Sequence, residues 1–318
     1  MPSEPWPAAV QTLADHLDLP ADALFVRPAC QLCSGADHRP VVSEDFAGCR
    51  LQAVRCAACG FCYTTPRPSL LLSQTLRRPE VRNSLVDAGI LESERRTGAA
   101  TIFDYDKQLD YDANYRRGLR VLQRRRPAGR LLDVGCAGGR FVELAGEGGY
   151  EACGCDIVPE ALTPGLARGL DLRLAPPNGL PDGLPPLQVA TLWNVLEHVE
   201  RPQELLRAVA QALEPGGLVL VEVPSMALRL ALATLGGPKH SAQHRYILYE
   251  HIYHYTPRSL ARLLQQSGLR LTRFITTHTD GSHGWRSRLR AAVLRAAHHA
   301  TRGAVNWHYP LACLAERA

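Results

Sequence analysis

Six cysteines crowd into residues 30–62 of this chain: Cys30, Cys33, Cys49, Cys56, Cys59 and Cys62. Four of them read Cys30-x2-Cys33, then 22 residues, then Cys56-x2-Cys59. The N-terminus, Met1-Pro-Ser-Glu-Pro-Trp6, lacks the basic-then-apolar pattern of a secretory signal, so metal binding is favoured over disulfides. Each pair sits in a knuckle, Cys-Gln-Leu-Cys-Ser-Gly and Cys-Ala-Ala-Cys-Gly-Phe. Small residues after the second cysteine (Ser34-Gly35, Gly60) let the backbone turn its N–H groups toward sulfur. Four thiolates in tetrahedral array suit Zn²⁺, and a closed four-ligand site is structural rather than catalytic. Between the knuckles, Val41, Phe46, Leu51 and Val54 predict a short hairpin over 40–55, completing a zinc ribbon. Cys62 could substitute as a ligand, and His38 is a weaker alternative. A redox motif would need a βαβ context that this segment lacks.

A second constellation is built of acids, glycines and histidines. Asp133-Val-Gly135-Cys-Ala-Gly-Gly139 follows a short apolar run, and Asp156 lies 23 residues after Asp133. Glycines at the carboxyl end of a strand let backbone approach a ligand, and an acid ending the next strand can accept both hydroxyls of a ribose. Glu197-His198 follows a later apolar run. Histidine offers a general base near neutral pH, with Glu197 to orient it or to touch a substrate. The alternative is a structural helix start with His198 bonded to backbone. Further on, His240, His244, His251 and His254 are interleaved with Tyr246, Tyr249, Tyr253 and Tyr255, a composition suited to a planar or polyhydroxylated substrate. His251 or His254 is expected to touch that substrate; a second metal site is the sharper alternative.

The elements that must position these residues are readable in outline. Strands are expected at Arg130–Val134, Tyr150–Asp156, Leu170–Ala175, Val189–Trp193 and Leu218–Val223. Helices are expected at Tyr111–Gln123, Arg140–Gly146 and Pro202–Leu213, the last closed by Glu214-Pro-Gly-Gly217. This alternation argues an α/β, doubly wound parallel sheet. A helix over Ser259–Ser267 leads into a strand at Leu269–Ile275, and residues 310–315 are expected to return as a last, antiparallel strand. Before the sheet, Thr64–Ser69 reads as a linker into helical segments rich in Arg and Leu. Near 285–302, Trp285, Leu289, Val293 and Ala296 recur at helical spacing among arginines. A basic amphipathic helix there would dock on the sheet or lie on an anionic surface.

The 318 residues carry a formal charge of +5, with 46% hydrophobic and 21% charged side chains, enough apolar content for a sizeable core. Net charge is −1 over residues 1–100, −3 over 101–200 and +9 over 201–318. Only Lys107 and Lys239 are lysines among 36 basic residues, which points to codon bias rather than selection for phosphate contacts. A nucleic-acid partner thus gains little support, and the ribbon has no basic cluster. No apolar run approaches the ~20 residues of a membrane-spanning helix, so the expected location is the cytoplasm.

Taken together, Leu-Leu-Asp133-Val-Gly135-Cys-Ala-Gly-Gly139, Gly-Cys-Asp156-Ile, Leu-Trp193-Asn-Val-Leu-Glu197-His198 and Leu-Glu-Pro-Gly-Gly217-Leu-Val-Leu-Val-Glu-Val-Pro224 resemble class I S-adenosylmethionine-dependent methyltransferases. The likeness covers roughly residues 28–276. It is nearest to a bacterial small-molecule branch in which a ribbon ending Cys-Gly-Phe-x-Tyr-x-x-Pro-Arg-Pro precedes the core. The resemblance implies a Rossmann-like, mostly parallel seven-stranded sheet with a small N-terminal zinc ribbon. It divides the chain into an extension (1–27), the ribbon (28–66), a helical linker or cap (67–127) and the core (128–318). It implies S-adenosylmethionine as cofactor, held by Asp133, Gly135, Ala137, Gly139, Asp156, Asn178 and Asn194, with His198, Glu197, His251 and His254 as catalytic candidates. Ala137 departs from the usual middle glycine. Ala175-Pro-Pro-Asn178 lacks the common adenine-reading acid, leaving Asn178 as substitute. The expected reaction is methyl transfer to a small, anionic acceptor, at oxygen of a sugar-type or other biosynthetic intermediate. Sugar C-methylation, RNA methylation through the ribbon and a non-catalytic zinc-dependent interaction module are the alternatives.

Overall fold

The computed structural model describes residues 5–91, 111–225, 248–277 and 310–318. The expected basic helix near 285–302 and the residues His240, His244 and Tyr246 lie outside these. The described residues fall into two compact units, one formed by 5–91 with 248–254, the other by 111–225, 255–277 and 310–318.

The first unit opens with helices α1 (Ala8–Leu17) and α2 (Ala21–Leu24) and the short strand β1 (Phe25–Val26). The expected hairpin is β2 (His38–Phe46) and β3 (Cys49–Cys56), followed by β4 (Cys62–Thr64). Its two-residue turn, Ala47-Gly48, has positive φ at both positions (49° and 76°), the backbone a tight hairpin demands. A side chain at Gly48 would come within 2.1 Å of the Ala9 Cβ, so α1 lies directly on the turn. Val10, Leu13, Phe25, Phe46, Leu51 and Leu72 share one buried cluster, which makes residues before the ribbon part of its core. β11 (Tyr253–His254) joins from far along the chain, giving the antiparallel order β11-β4-β3-β2.

The segment Thr64–Ser69 is not a plain linker. Thr64 ends β4, and β5 (Arg67–Pro68) pairs antiparallel with β1. Pro66 and Pro68 deny the segment a central position in a sheet but leave a two-residue edge pairing open. Ser69 then caps α3 (Leu70–Thr75), its hydroxyl accepting from Leu72 N–H at 3.1 Å, and α4 (Pro79–Asp87) follows.

The second unit begins with α5 (Asp112–Gln123) and alternates β6 (Gly129–Val134), α6 (Arg140–Glu147), β7 (Tyr150–Asp156), α7 (Pro159–Ala167), β8 (Leu172–Leu174) and β9 (Leu187–Trp193). It continues with α8 (Pro202–Ala212), β10 (Leu213–Val223), α9 (Pro257–Gln266), β12 (Leu269–Ile275) and β13 (Leu311–Arg317). The seven strands run in the order β12-β13-β10-β9-β6-β7-β8, with β13 antiparallel to both neighbours and the pairs from β10 to β8 parallel. β9 and the later part of β10 read as near-continuous apolar runs because both faces of a parallel sheet are covered. On one face Leu119 and Leu122 of α5 and Phe141 of α6 pack on Trp193 and Leu220. A Cβ at Gly118 would lie 2.4 Å from the Trp193 ring, so α5 crosses the sheet in close approach at that point.

The expected helix closure at Glu214–Gly217 differs. Leu213 is already extended and pairs with Leu187, and the register then shifts before Leu218 meets Val189. The Pro-Gly-Gly sequence thus makes an irregularity within β10, with Gly216 at φ 72°, rather than a turn outside it. No helix among the described residues is long and apolar enough to cross a membrane.

Candidate active site and metal centre

The loop from β6 to α6 shows why glycine is used there. Gly135, Ala137 and Gly139 all have positive φ (73°, 45° and 79°), and a Cβ at Gly135 would sit 2.5 Å from Val195 Cγ2. Ala137 holds this left-handed conformation with a side chain, at a cost of ~1–2 kcal/mol. Its N–H donates to Asp156 Oδ2 at 3.1 Å, while Val158 N–H donates to Oδ1 at 3.0 Å. The carboxylate that ends β7 is thereby held rigidly against the loop. A carboxylate, with about four lone-pair directions, is the kind of acceptor that a vicinal diol calls for. The donor set fits the ribose of S-adenosylmethionine.

Asp133, one strand over, is buried and accepts from the Thr191 hydroxyl at 2.7 Å. Burial pushes its pKa up to about 7, with the Thr191 hydroxyl opposing and Asp156 adding to the rise. Asn194 follows β9 at φ 53°, its N–H bonded to Glu222 C=O at 2.8 Å. Asn178 has φ 59° and its Oδ1 accepts from Arg201 N–H at 2.9 Å, tying the loop after β8 to the start of α8.

Beyond β9, Glu197 is 1% exposed, and neither carboxylate oxygen has a hydrogen-bond partner among the described residues. Burial lifts its pKa to about 8; its own backbone N–H opposes and Glu222 reinforces the shift. His198 is partly exposed, with Nε2 at 3.8 Å from Glu197 Oε1, beyond hydrogen-bond length. Tyr255 O–H donates to Leu196 C=O at 3.1 Å and His198 N–H to Val195 C=O at 2.9 Å, which fixes the turn that carries the pair. Glu222, within the apolar run of β10, is fully buried, and the Thr277 hydroxyl donates to its Oε2. Burial raises it to about 7 against the Thr277 hydroxyl and the Asn194 side chain.

These three carboxyls make stability fall with pH. Each folded-state pKa lies above the unfolded value, so between the ordinary carboxylate range and about pH 7–8 the folded chain holds protons that the unfolded chain has released. Their contribution is most favourable at low pH and is lost as pH rises through that window. Glu197→Gln should therefore gain stability relative to wild type with a slope of about one proton between pH 5 and 7. Denaturant unfolding at several pH values measures this directly; parallel curves for the two proteins would contradict it.

In the first unit, Cys30, Cys33, Cys56 and Cys59 bring four sulfurs to within 4.8 Å of one another. Cys30 Sγ lies 3.5 Å from Cys59 Sγ, and Cys33 Sγ lies 3.5 Å from Cys56 Sγ. Tetrahedral Zn–S bonds of about 2.3 Å require sulfurs roughly 3.8 Å apart, so the four sulfurs already approximate such a site. The knuckles turn as the small residues suggest: Ser34 N–H bonds Cys30 C=O and Gly60 N–H bonds Cys56 C=O. Burial raises the Cys56 thiol, but the N–H groups of Cys59 and Ala58 and the neighbouring thiols outweigh it and bring it to about 7. Cys49 and Cys62 are buried and lie outside this four-sulfur group, as does His38, whose Nδ1 is 2.9 Å from Ala36 C=O.

Sequence-expected residues are thus gathered at two places: the cysteines in the first unit, and Asp133, the glycine loop, Asp156, Asn194, Glu197 and His198 at the carboxyl ends of β6, β7 and β9. His251 and His254 belong to the first unit. His254 is buried in β11 with Nε2 at 3.1 Å from the Thr64 hydroxyl, and the His251 carbonyl lies 3.3 Å from that hydroxyl. Sequence reasoning missed Glu222 and Thr191, and it noted Tyr255 as a substrate-suited aromatic rather than as the donor that fixes the turn before Glu197. An acid inside the apolar run Leu218–Val223 was a visible signal for Glu222; the Thr191 hydroxyl had none.

A family model described as a methyltransferase domain matches residues 105–273, more than half of the chain. Among curated proteins, the ubiquinone biosynthesis O-methyltransferase of Caulobacter sp. (strain K31) is 36% identical over 115 residues, 34% of this chain and 46% of that protein. The enzyme of the same name from Xanthomonas axonopodis pv. citri (strain 306) is 32% identical over 164 residues, 48% of this chain and 67% of that one. The chain spans about half the length of the first of these relatives. A solved S-adenosylmethionine dependent methyltransferase from Mesorhizobium loti aligns with a TM-score of 0.47 and 22% identity, covering 66% of this chain and 100% of that one. The chain belongs to the methyltransferase-domain family, in its S-adenosylmethionine-dependent class.

Proposed function

We propose that this chain transfers the methyl group of S-adenosylmethionine to a hydroxyl of a small-molecule acceptor. The observation that carries the reading is the rigidly held Asp156 carboxylate beside the glycine loop, with the Glu197–His198 pair at the carboxyl end of a neighbouring strand. Bound at that loop, the cofactor supplies an activated methyl on a sulfonium. The residues then have two tasks, to orient the acceptor and to take its proton. His198 is assigned the proton. Glu197, neutral at rest because of burial, leaves the imidazole uncharged and able to accept. As His198 takes that proton, the Glu197 carboxyl 3.8 Å away keeps its own and stabilises the developing imidazolium as a buried dipole.

The curated relatives are named for O-methylation, which favours oxygen over carbon or nitrogen as the accepting atom. A sugar-type or other hydroxylated biosynthetic intermediate is the acceptor class we favour, anionic in view of the +9 charge of residues 201–318. The four cysteines are assigned to one structural Zn²⁺.

Transfer of labelled methyl into a cell extract, followed by mass identification of the product, tests the reaction. His198→Ala should lower kcat by about 10²–10⁴-fold with little change in affinity for S-adenosylhomocysteine. A variant with full activity would remove His198 from the proton-transfer role.

A further inference from the structure

Charged side chains that the reading above leaves without a role grip the glycine loop from outside. Gly138 stands between two residues of positive φ, Ala137 at 45° and Gly139 at 79°. Its carbonyl accepts from Arg168 Nη2 at 2.5 Å. Arg168 directly follows α7, and its Nη1 donates to Pro164 C=O at 2.9 Å, among the last four carbonyls of that helix. Helix geometry leaves those carbonyls short of partners and favours a cation beside them. A Cβ at Gly165 would lie 2.8 Å from the Gly138 oxygen, so α7 packs directly on the loop carbonyl. The guanidinium is steered in turn. Its Nε lies 3.6 Å from Glu143 Oε1, and Glu143 Oε2 accepts from Arg140 Nη1 at 2.5 Å. Arg140, the first residue of α6, forks onto Asp112 of α5: Nε donates to Oδ1 at 2.9 Å and Nη2 to Oδ2 at 2.5 Å. The four charges alternate in sign, and their side chains are only 13–28% exposed, so water and salt screen them less than a surface pair.

We propose that Arg168 is a positioning residue for cofactor binding: it holds the glycine loop in its binding form before S-adenosylmethionine arrives, while Glu143, Arg140 and Asp112 hold Arg168. The inference rests on the cofactor reading above. Ordering backbone is costly, most of all at glycine, which has the most freedom to lose. A loop ordered only on binding gives up that much affinity; one ordered in advance does not. A carbonyl held by a guanidinium that is itself seated on a helix end fixes the peptide plane between Gly138 and Gly139. Asp156 secures the other side through Ala137 N–H, so the two side chains bracket Ala137-Gly138.

Arg168→Ala in the full chain should bind S-adenosylhomocysteine about 10-fold more weakly than wild type by calorimetry, a ratio set by the ordering of one backbone residue. Hydrogen exchange of the two cofactor-free proteins gives the readout that a general loss of stability would not. The Gly139 N–H, bonded to Cys136 C=O, should exchange faster in the variant, while the amides that pair β6 with β7 keep wild-type protection. Arg168→Lys keeps the charge but has no fork to serve Gly138, Pro164 and Glu143 together, so both effects should be intermediate. Equal affinity in wild type and Arg168→Ala overturns the proposal, and so does weaker binding with unchanged exchange in the loop. Should the alanine variant fail to fold, Arg168→Met, which keeps the apolar stem and loses every donor, carries the same two outcomes. A wild-type chain that binds no S-adenosylhomocysteine would instead sink the cofactor reading, and this inference with it.

Discussion

Asp156→Ala should bind S-adenosylhomocysteine about 100- to 1,000-fold more weakly than the wild-type chain. Two charge-assisted hydrogen bonds from a ribose to the carboxylate, at ~1.5–2 kcal/mol each after exchange with water, set that scale. The loop adds to the loss. Ala137 N–H and Val158 N–H both donate to this carboxylate, and Ala137 sits in a left-handed conformation that its side chain disfavours. Without Asp156 the loop loses the acceptor that holds that conformation. Asp156→Asn, which preserves shape and one acceptor oxygen, should fall between. Isothermal titration calorimetry separates the outcomes: equal affinity in wild type and Asp156→Ala, or no binding by wild type, refutes the cofactor assignment.

Metal removal should have the second large effect. Elemental analysis of the purified chain is expected to give about one zinc per molecule. Structural zinc contributes ~10–16 kcal/mol of apparent binding free energy in small ribbons and fingers at neutral pH, comparable with the whole stability of a domain. Stripping it with a strong chelator, or replacing Cys30 or Cys59 by serine, should abolish amide protection in β3 and β4. Protection in β6 and β9 should persist, since those amides are satisfied within the seven-stranded sheet. Hydrogen exchange read by mass spectrometry resolves the two regions. Undiminished protection of β3 and β4 in the stripped protein would show that the cysteines are not a structural metal site.

How much of this was legible from sequence depended on whether a feature is local. The cysteine knuckles, the glycine loop and strands such as β6 and β9 announce themselves within ten residues, through ligand spacing, breakers and unbroken apolar runs. Positions that depend on distant pairing did not. Arg67–Pro68 looks like a proline-rich linker until Phe25–Val26 is set beside it. Glu214–Gly217 reads as a helix stop, yet a bond network with β9 makes it an irregularity in a strand. Nothing near Tyr253–His254 in sequence shows that its backbone pairs with Tyr63 and Cys62. The candidate site shows the same division. Asp156 and His198 are identified by position after a strand, whereas the solvation of Glu197 and Glu222 follows from side chains contributed by other strands.

The pairing of β11 with β4 also has a consequence for the order in which the chain is made. Thr64 meets His254, 190 residues later, so the ribbon's sheet cannot acquire its fourth strand until most of the polypeptide has left the ribosome. Strands β6 to β10 all emerge before that moment. During synthesis the edge of β4 stands open, a template for unwanted pairing, while the parallel sheet downstream is already able to assemble. A fragment ending anywhere between residues 64 and 252 would keep the metal ligands and still lack its closing strand. The ribbon comes first in sequence and is completed among the last.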